Sequence, residues 1–247
     1  MLNKIYFEDC IETMKRIPDG SIDLMLTDPP YNITACKWDV KIDLDILWKE
    51  WLRIVKNNGA LIFTASQPFT TDLINSQRDI FKYELIWDKV FPTGFLNANK
   101  MFMRSHENII IFYRQQPVYN SQKTKGNKNH SKKTKTDRTN CYGKFNQVDN
   151  SEQLGYMKHP TSILIFHKGH PSKSLHATEK PVDLFRYLIK TYSNEGDTVF
   201  DGYMGSGTTA IACIMEKRNF IGSEMNEKYF KAAEKRIKIS QMQQKLF

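Results

Sequence analysis

The sequence predicts an α/β fold: a mostly parallel central sheet with helices on both faces, interrupted by one basic insertion. Three observations lead there. Short apolar runs bounded by turn residues alternate with stretches whose apolar residues recur at helical spacing. At 247 residues the chain can bury the core of one such domain with an inserted segment. One stretch, 115–160, breaks the alternation with Lys, Asn, Thr and Ser.

The elements follow in order. Ile22 to Thr27 is an apolar run that predicts a strand, and it runs into TDPPYNITACKWD. Residues 42–59, IDLDILWKEWLRIVKNNG, predict a helix stopped by Asn58-Gly59. ALIFTAS (60–66) reads as a strand, QPFTTDLINSQRDIF (67–81) as a helix, and YELIWDKV (83–90) and ENIIIFYR (107–114) as further strands. Beyond the insertion come TSILIFHK (161–168, strand), EKPVDLFRYLIKTYSN (179–194, helix) and DTVFD (197–201, strand). The loop GYMGSG, the helix TTAIACIMEKR, the strand NFIGSE and the helix NEKYFKAAEKRIKI complete the chain. Trp48 and Trp51, like Trp38, are expected to pack in the core. The organisation is therefore 1–114 as one half of a domain, 115–160 as an insertion, and 161–247 as the other half.

Composition narrows the class. The chain is 40% hydrophobic and 26% charged, as a globular protein is. No apolar stretch reaches the roughly 18 residues of a membrane span, and the N-terminus lacks a signal-peptide pattern, so a cytoplasmic protein is expected. Cys10, Cys36, Cys141 and Cys213 are scattered without C-x-x-C, which argues for reduced thiols and against a disulfide framework or a zinc site. No metal is expected. The net charge of +9 favours a polyanionic partner. Much of that charge lies in the insertion, at Lys123, Lys125, Lys128, Lys132, Lys133, Lys135 and Arg138, with Asp137 the lone acid between them. Tyr119, Tyr142 and Phe145 interleave with these charges, which reads either as a solvated loop or as a DNA-contacting segment.

Two motifs carry chemistry. FDGYMGSGTT joins a strand to a helix, and Gly202, Gly205 and Gly207 allow a tight turn and close approach of a ligand to the backbone. The spacing matches neither the dinucleotide fingerprint nor a phosphate-binding Walker loop. One strand later Glu224 stands at a strand end, where an acid hydrogen-bonds ribose hydroxyls. A ligand with a ribose and no pyrophosphate suits both features, and S-adenosylmethionine is such a ligand. The second motif is DPPY. The lone pair of an exocyclic amine on a nucleobase is delocalised into the ring, and two acceptors gripping its N–H bonds localise it toward a methyl donor. Asp28 offers one acceptor and the main-chain carbonyl of Pro29 the other, with Pro29 and Pro30 stiffening the turn. Tyr31 offers a ring on which a base swung out of a duplex can stack.

Taken together, DPPY after one strand, F-D-x-x-x-G-S-G after another and an acid on the next resemble the S-adenosylmethionine-dependent amino-methyltransferases of DNA. With DPPY first and the basic insertion between the motifs, the order resembles their β class. The resemblance covers nearly the whole chain outside 115–160. It implies a Rossmann-like methyltransferase fold, methylation of adenine N6 in double-stranded DNA by base flipping, and a basic target-recognition insertion. FEDC resembles the segment that contacts the cofactor adenine, which implies that role for Asp9 and Cys10. LHATEKPVDLFRYLI resembles the helix start over the methionine end, implying Thr178, Lys180 and Pro181. The glycine loop implies Phe200, Asp201, Gly202, Gly205, Ser206, Gly207 and Thr208, together with Glu224 and Asp28, as cofactor contacts. RSHENIIIFYR resembles the strand near the base pocket. Departures are Gly202-Tyr203 where the family usually has Pro-Phe, and Ala177 and Glu179 in a segment that usually reads H-P-T-Q-K-P.

Rival readings stay open at this level. Cytosine N4 presents the same problem to the same pocket, although Ser in place of Asp28 is commoner in the family for cytosine. RNA bases or protein glutamine are commoner targets of an NPPY motif. A catalytically silent DNA-binding module would keep the fold without these side chains. His106 and His176 have no evident partner for nucleophilic catalysis. A homodimer and a cognate restriction endonuclease are partners that the resemblance implies.

Overall fold

The computed structural model describes residues 1–33, 41–128, 155–168 and 179–244. Thr34 to Val40, 129–154, 169–178 and 245–247 lie outside the described residues. They include Cys36, Trp38, Lys132, Lys133, Lys135, Arg138, Cys141, His176 and Thr178. The chain divides into two compact units, Met1–Asn120 with Ser162–Phe247, and Ser121–Thr161.

The larger unit is built on an eight-stranded sheet. Its strands are β1 (Lys4–Tyr6), β2 (Ile22–Thr27), β3 (Val55–Ala65), β4 (Phe81–Thr93), β5 (Arg104–Phe112), β8 (Ile163–Ile165), β9 (Thr198–Asp201) and β10 (Asn219–Ser223). Their spatial order is β1-β10-β9-β2-β3-β5-β4-β8. Neighbours pair in parallel except β5, which runs antiparallel to both β3 and β4. The helices are α1 (Cys10–Lys15), α2 (Leu44–Ile54), α3 (Phe69–Ser76), α4 (Val182–Tyr192), α5 (Thr208–Met215) and α6 (Glu227–Gln244).

Strands buried on both faces read as continuous apolar runs, because successive side chains point to opposite sides. In β5, Ile109 and Ile111 face a core layer with Leu184, Leu188, Ala210 and Ala233 of α4, α5 and α6. Ile110 and Phe112 face the other layer, with Met14, Trp51 and Leu73 of α1, α2 and α3. Helices therefore cover both faces, as the alternation predicts. Trp48 and Trp51 are buried in the second layer, in edge-on contact with each other.

Two boundaries differ notably from the sequence reading: the helix expected over 67–81 ends at Ser76, with Phe81 already in β4, and the helix expected over 42–59 is also shorter. The helix over 42–59 ends at Ile54, and β3 starts at Val55, so Asn57, Asn58 and Gly59 are strand residues. The pairing of β2 with β3 slips between Ile22↔Val55 and Leu24↔Ala60, which makes this stretch an irregular bulge. A Cβ on Gly59 would lie 2.8 Å from the Asp23 carbonyl oxygen, so the glycine serves close strand packing and not a helix stop.

The smaller unit contains a short antiparallel ribbon, β6 (Thr124–Lys125) and β7 (Met157–Lys158), with Thr124 opposite Lys158. Gly126 N donates to Tyr156 O at 2.6 Å, extending the ladder. Lys123, Lys125 and Lys128 are exposed on it. Among the described residues no helix is long and apolar enough to cross a membrane.

Candidate active site

The C-terminal ends of the parallel strands converge on one edge of the larger unit, the edge at which open α/β sheets bind ligands. A cavity of about 730 Å³ opens there. Its lining includes Asp9, Cys10, Asp28, Pro29, Pro30, Tyr31, Lys180, Asp201, Gly202, Gly205, Ser206, Thr208 and Glu224. Both motifs thus share a single cavity. Phe200, Gly207 and Pro181 stand behind its wall. Phe200 is fully buried in the core, Pro181 caps the start of α4, and Gly207 takes φ +92° at the start of α5.

The cofactor side is organised by two acids. Asp201, at the end of β9, is 2% exposed and accepts from Thr27 Oγ1 at 2.7 Å, Tyr203 N at 3.0 Å and Thr209 Oγ1. Burial outweighs these donors and pushes its pKa up to about 6. Its carboxylate ties β2, β9 and the first turn of α5 together beneath the glycine loop. Glu224, just past β10, accepts from Gly205 N at 2.8 Å and Asn226 N at 2.7 Å, one oxygen each. A carboxylate has about four lone-pair sites, so acceptor capacity remains for a ligand hydroxyl. Burial raises the Glu224 pKa.

The loop between them keeps close to the backbone. Gly205 has φ +54°, and a Cβ built on it meets nothing nearer than Tyr203 O at 4.0 Å. A side chain there would stand in the cavity, so the glycine leaves that space to a ligand. Beside the loop, where a Cβ on Gly202 would lie 3.1 Å from Cys10 Cβ, Asp9 caps α1, accepting from Ile11 N at 2.8 Å. The Cys10 thiol is pushed up to about 11, mainly by burial, which keeps it protonated and unreactive. These walls fit an elongated nucleoside-bearing ligand: a carboxylate with spare lone pairs at a strand end, bare backbone beside it, and room for the rest.

The DPPY side is a charge network. Asp28 Oδ1 accepts from Tyr31 Oη at 2.5 Å and from Thr64 Oγ1, while Oδ2 accepts from Lys180 Nζ at 2.8 Å. The Tyr31 ring stacks on Phe69, with centroids 5.4 Å apart. Lys180 is buried, and its Nζ also lies 3.2 Å from Glu107 Oε2, without the alignment of a hydrogen bond. Burial would lower the Lys180 pKa, but Asp28 and Glu107 raise it on balance, so the ammonium stays charged. Glu107 in turn is pushed up by burial and held down, on balance below the usual range, by Lys180 and Lys89. Lys89, also buried, lies 3.4 Å from Glu107 Oε1, and burial dominates to lower its pKa.

Glu107, Lys89 and Thr64 are absent from the residues picked out in the sequence. The signal for the first two was present, because each is a charged residue within or beside an apolar strand. Lys89 shares its parity along β4 with the buried Trp87, so it had to face inward. His106, one residue from Glu107, is exposed and stands opposite Asp88.

The chain is similar to known proteins over most of its length. The profile of the DNA methylase family of N6 and N4 methyltransferases matches residues 22–235. The type II methyltransferase M1.MboII of Moraxella bovis is 27% identical over 94% of this chain and 95% of its own. The DNA adenine methyltransferase YhdJ of Escherichia coli is 27% identical over 94% of this chain and 81% of its own. Among solved structures, the M1.HpyAVI–SAM complex superposes with a TM-score of 0.64 at 23% identity, covering 95% of this chain and 98% of the other. The cytosine-N4-specific PvuII DNA methyltransferase superposes with a TM-score of 0.67 at 15% identity, covering 96% and 90%. At such identities the superpositions establish the fold, while the family match spans most of the sheet and both motifs. The chain belongs to the DNA methylase family, the enzymes that methylate the exocyclic amine of adenine or cytosine.

Proposed function

We propose that this protein uses S-adenosylmethionine to methylate the N6 amine of adenine in duplex DNA, acting on a base swung into the DPPY pocket. The observation that carries the proposal is the single cavity in which Asp28 faces the glycine loop and Glu224. Bound along that loop, S-adenosylmethionine supplies a methyl group on a positively charged sulfur. Glu224 accepts from the ribose hydroxyls, Gly202 and Gly205 offer bare backbone, and Asp9 and Cys10 border the adenine. Thr178, Lys180, Pro181, Ser206 and Thr208 belong to the methionine end, with Phe200, Asp201 and Gly207 supporting the loop.

Asp28 then does the chemical work through Oδ2. That oxygen takes one hydrogen bond, from Lys180, and keeps a lone pair for an N–H of the target amine. The Pro29 carbonyl accepts the other N–H. Tyr31 and Thr64 hold Oδ1, so the carboxylate cannot rotate away, and the Tyr31 ring is the stacking surface for the base. The amine lone pair, turned toward the methyl, would form the nitrogen–carbon bond as the methyl–sulfur bond breaks; S-adenosylhomocysteine would leave as a neutral thioether and one amine proton would be lost during or after transfer, with no covalent bond to the protein. Adenine is favoured over cytosine by Asp28, where a serine is commoner for cytosine, and by the adenine-specific name of the YhdJ relative. The 115–160 insertion, with Lys123, Lys125, Lys128, Lys132, Lys133, Lys135 and Arg138, supplies phosphate contacts that position the duplex. The type II names of several relatives support a role beside a cognate restriction endonuclease.

The test is incubation of the protein with unmethylated genomic DNA and isotopically labelled S-adenosylmethionine, followed by digestion to nucleosides and mass spectrometry. Label in N6-methyladenine, lost in Asp28→Ala, is expected. Label in N4-methylcytosine would overturn the base assignment and keep the mechanism. Label in neither would overturn the proposal.

A further inference from the structure

The turn between β4 and β5 carries a cluster of apolar side chains that no described part of the chain covers. Leu96 is 98% exposed, Phe102 99% and Phe95 78%, with Phe91 and Met101 also largely in solvent. This is not an open loop. A one-turn 3₁₀ helix at Phe95–Asn97 is entered through Gly94 at φ +94°, and the Lys100 and Met101 N–H groups both donate to Asn97 O. Below it the two strands slip: β4 runs from Asp88 to Thr93 while β5 runs only from His106 to Arg104. Val90 takes φ +66° in that slip, and its N–H is held by Asp88 Oδ1 at 2.8 Å. A backbone this ordered, presenting bare aromatic rings, is built to be covered by a partner.

Position and charge say which partner. Because β4 runs parallel to β3 and β2, the turn projects from the same sheet edge as Asp28. The base of the turn, at Lys89, Thr93, Arg104 and Glu107, lines the catalytic cavity itself. Between Asp88 and Glu107 there is no acid, and Lys100 and Arg104 are exposed. An apolar tip flanked by cations at the mouth of a base pocket matches a DNA duplex whose target base has left the stack. The cations meet phosphates, and the apolar side chains meet the exposed faces of the neighbouring bases.

We infer that the 90–103 turn is a wedge that enters the duplex at the target base pair and fills the gap left by the flipped base. This rests on the proposed function and adds to it: the wedge lowers the cost of unstacking, and the DPPY pocket receives the base.

The test begins by mapping the methylated site on genomic DNA treated with wild-type protein. Two duplex oligonucleotides carrying that site are then compared, one fully paired and one with the target base mispaired and so already loosened. The variant is Phe95→Ala/Leu96→Ala/Phe102→Ala, all on the surface, with its melting temperature and cofactor affinity measured beside wild type. The expected result is at least a ten-fold fall in kcat/KM on the paired duplex, recovery to within about three-fold of wild type on the mispaired one, and unchanged cofactor affinity. Wild-type rates on the paired duplex overturn the wedge, and so does an equal loss on both duplexes. If that equal loss comes with a wild-type dimer that the variant abolishes in sedimentation, a second copy of the chain is the occupant instead. A wild-type protein that labels no DNA removes the proposed function and the wedge together, whereas labelling with a fully active variant removes the wedge alone.

Discussion

Lys180 Nζ lies 2.8 Å from Asp28 Oδ2, a charge pair joining the start of α4 to the end of β2 across 152 positions of sequence. Glu107 shares the same ammonium at 3.2 Å. The pair holds Asp28 in place before any base arrives, and Glu107 adds a second carboxylate to the buried ammonium. Replacing Glu107 by Gln leaves two buried lysines, Lys89 and Lys180, with less negative charge between them. Breaking a buried pair from one side costs about 3 kcal/mol or more, which predicts a melting temperature lower by several degrees for a chain of this size. Calorimetry of Glu107→Gln checks it, and an unchanged melting temperature would show that the network contributes nothing to stability.

Tyr31 predicts a loss confined to the chemical step. Its hydroxyl donates to Asp28 at 2.5 Å, and hydrogen bonds to charged groups are worth about 1.5–3 kcal/mol. Tyr31→Phe, which keeps the ring and its stacking on Phe69, is therefore expected to lower kcat by roughly 10- to 100-fold. Cofactor affinity should stay at the wild-type value. Single-turnover kinetics with separately measured cofactor binding distinguishes the two effects.

Gly205 predicts the reverse division. At φ +54° an alanine is strained by about 1–2 kcal/mol, and its methyl group stands in the cavity. Gly205→Ala should weaken S-adenosylmethionine binding by more than ten-fold, read by calorimetric titration, with only a small fall in melting temperature. Loss of stability without loss of affinity would move the cofactor away from this loop.

Asp201 predicts a pH-dependent stability. Its folded-state pKa, about 6, lies above the ordinary aspartate value of 3.8, so between those values the folded protein binds more protons than the unfolded chain. Its contribution is fully present below pH 4, falls as pH rises through 6, and is flat above 7. Two units correspond to about 3 kcal/mol. Asp201→Asn cannot titrate, so the melting temperature of wild type relative to this variant should decline from pH 4 to pH 7. A constant difference across that range would contradict the assignment.

Much of this was legible in the sequence, and the exceptions share a cause. The DPPY turn, the glycine loop and Glu224 announce themselves by local spacing, and the structure brings all three to one cavity. The end of α2 was misread because Asn-Asn-Gly is a helix stop by local rules, whereas here the strand packing around Gly59 overrides them. Thr64, Lys89 and Glu107 escaped because their partners are distant: Thr64 meets Asp28 across 36 positions, and Glu107 meets Lys180 only once the sheet is folded. Local pattern finds groups that bind through their own backbone turn, and misses groups recruited through the sheet.

The antiparallel course of β5 within the eight-stranded sheet has one further consequence. Had β5 run with its neighbours, the chain leaving β4 would have needed a helical crossover, packed on a face and fixed in length by the core. Reversing β5 turns that connection into a hairpin whose tip touches no core layer. The sheet tolerates lengthening, shortening or recomposing such a tip, because no core layer depends on it.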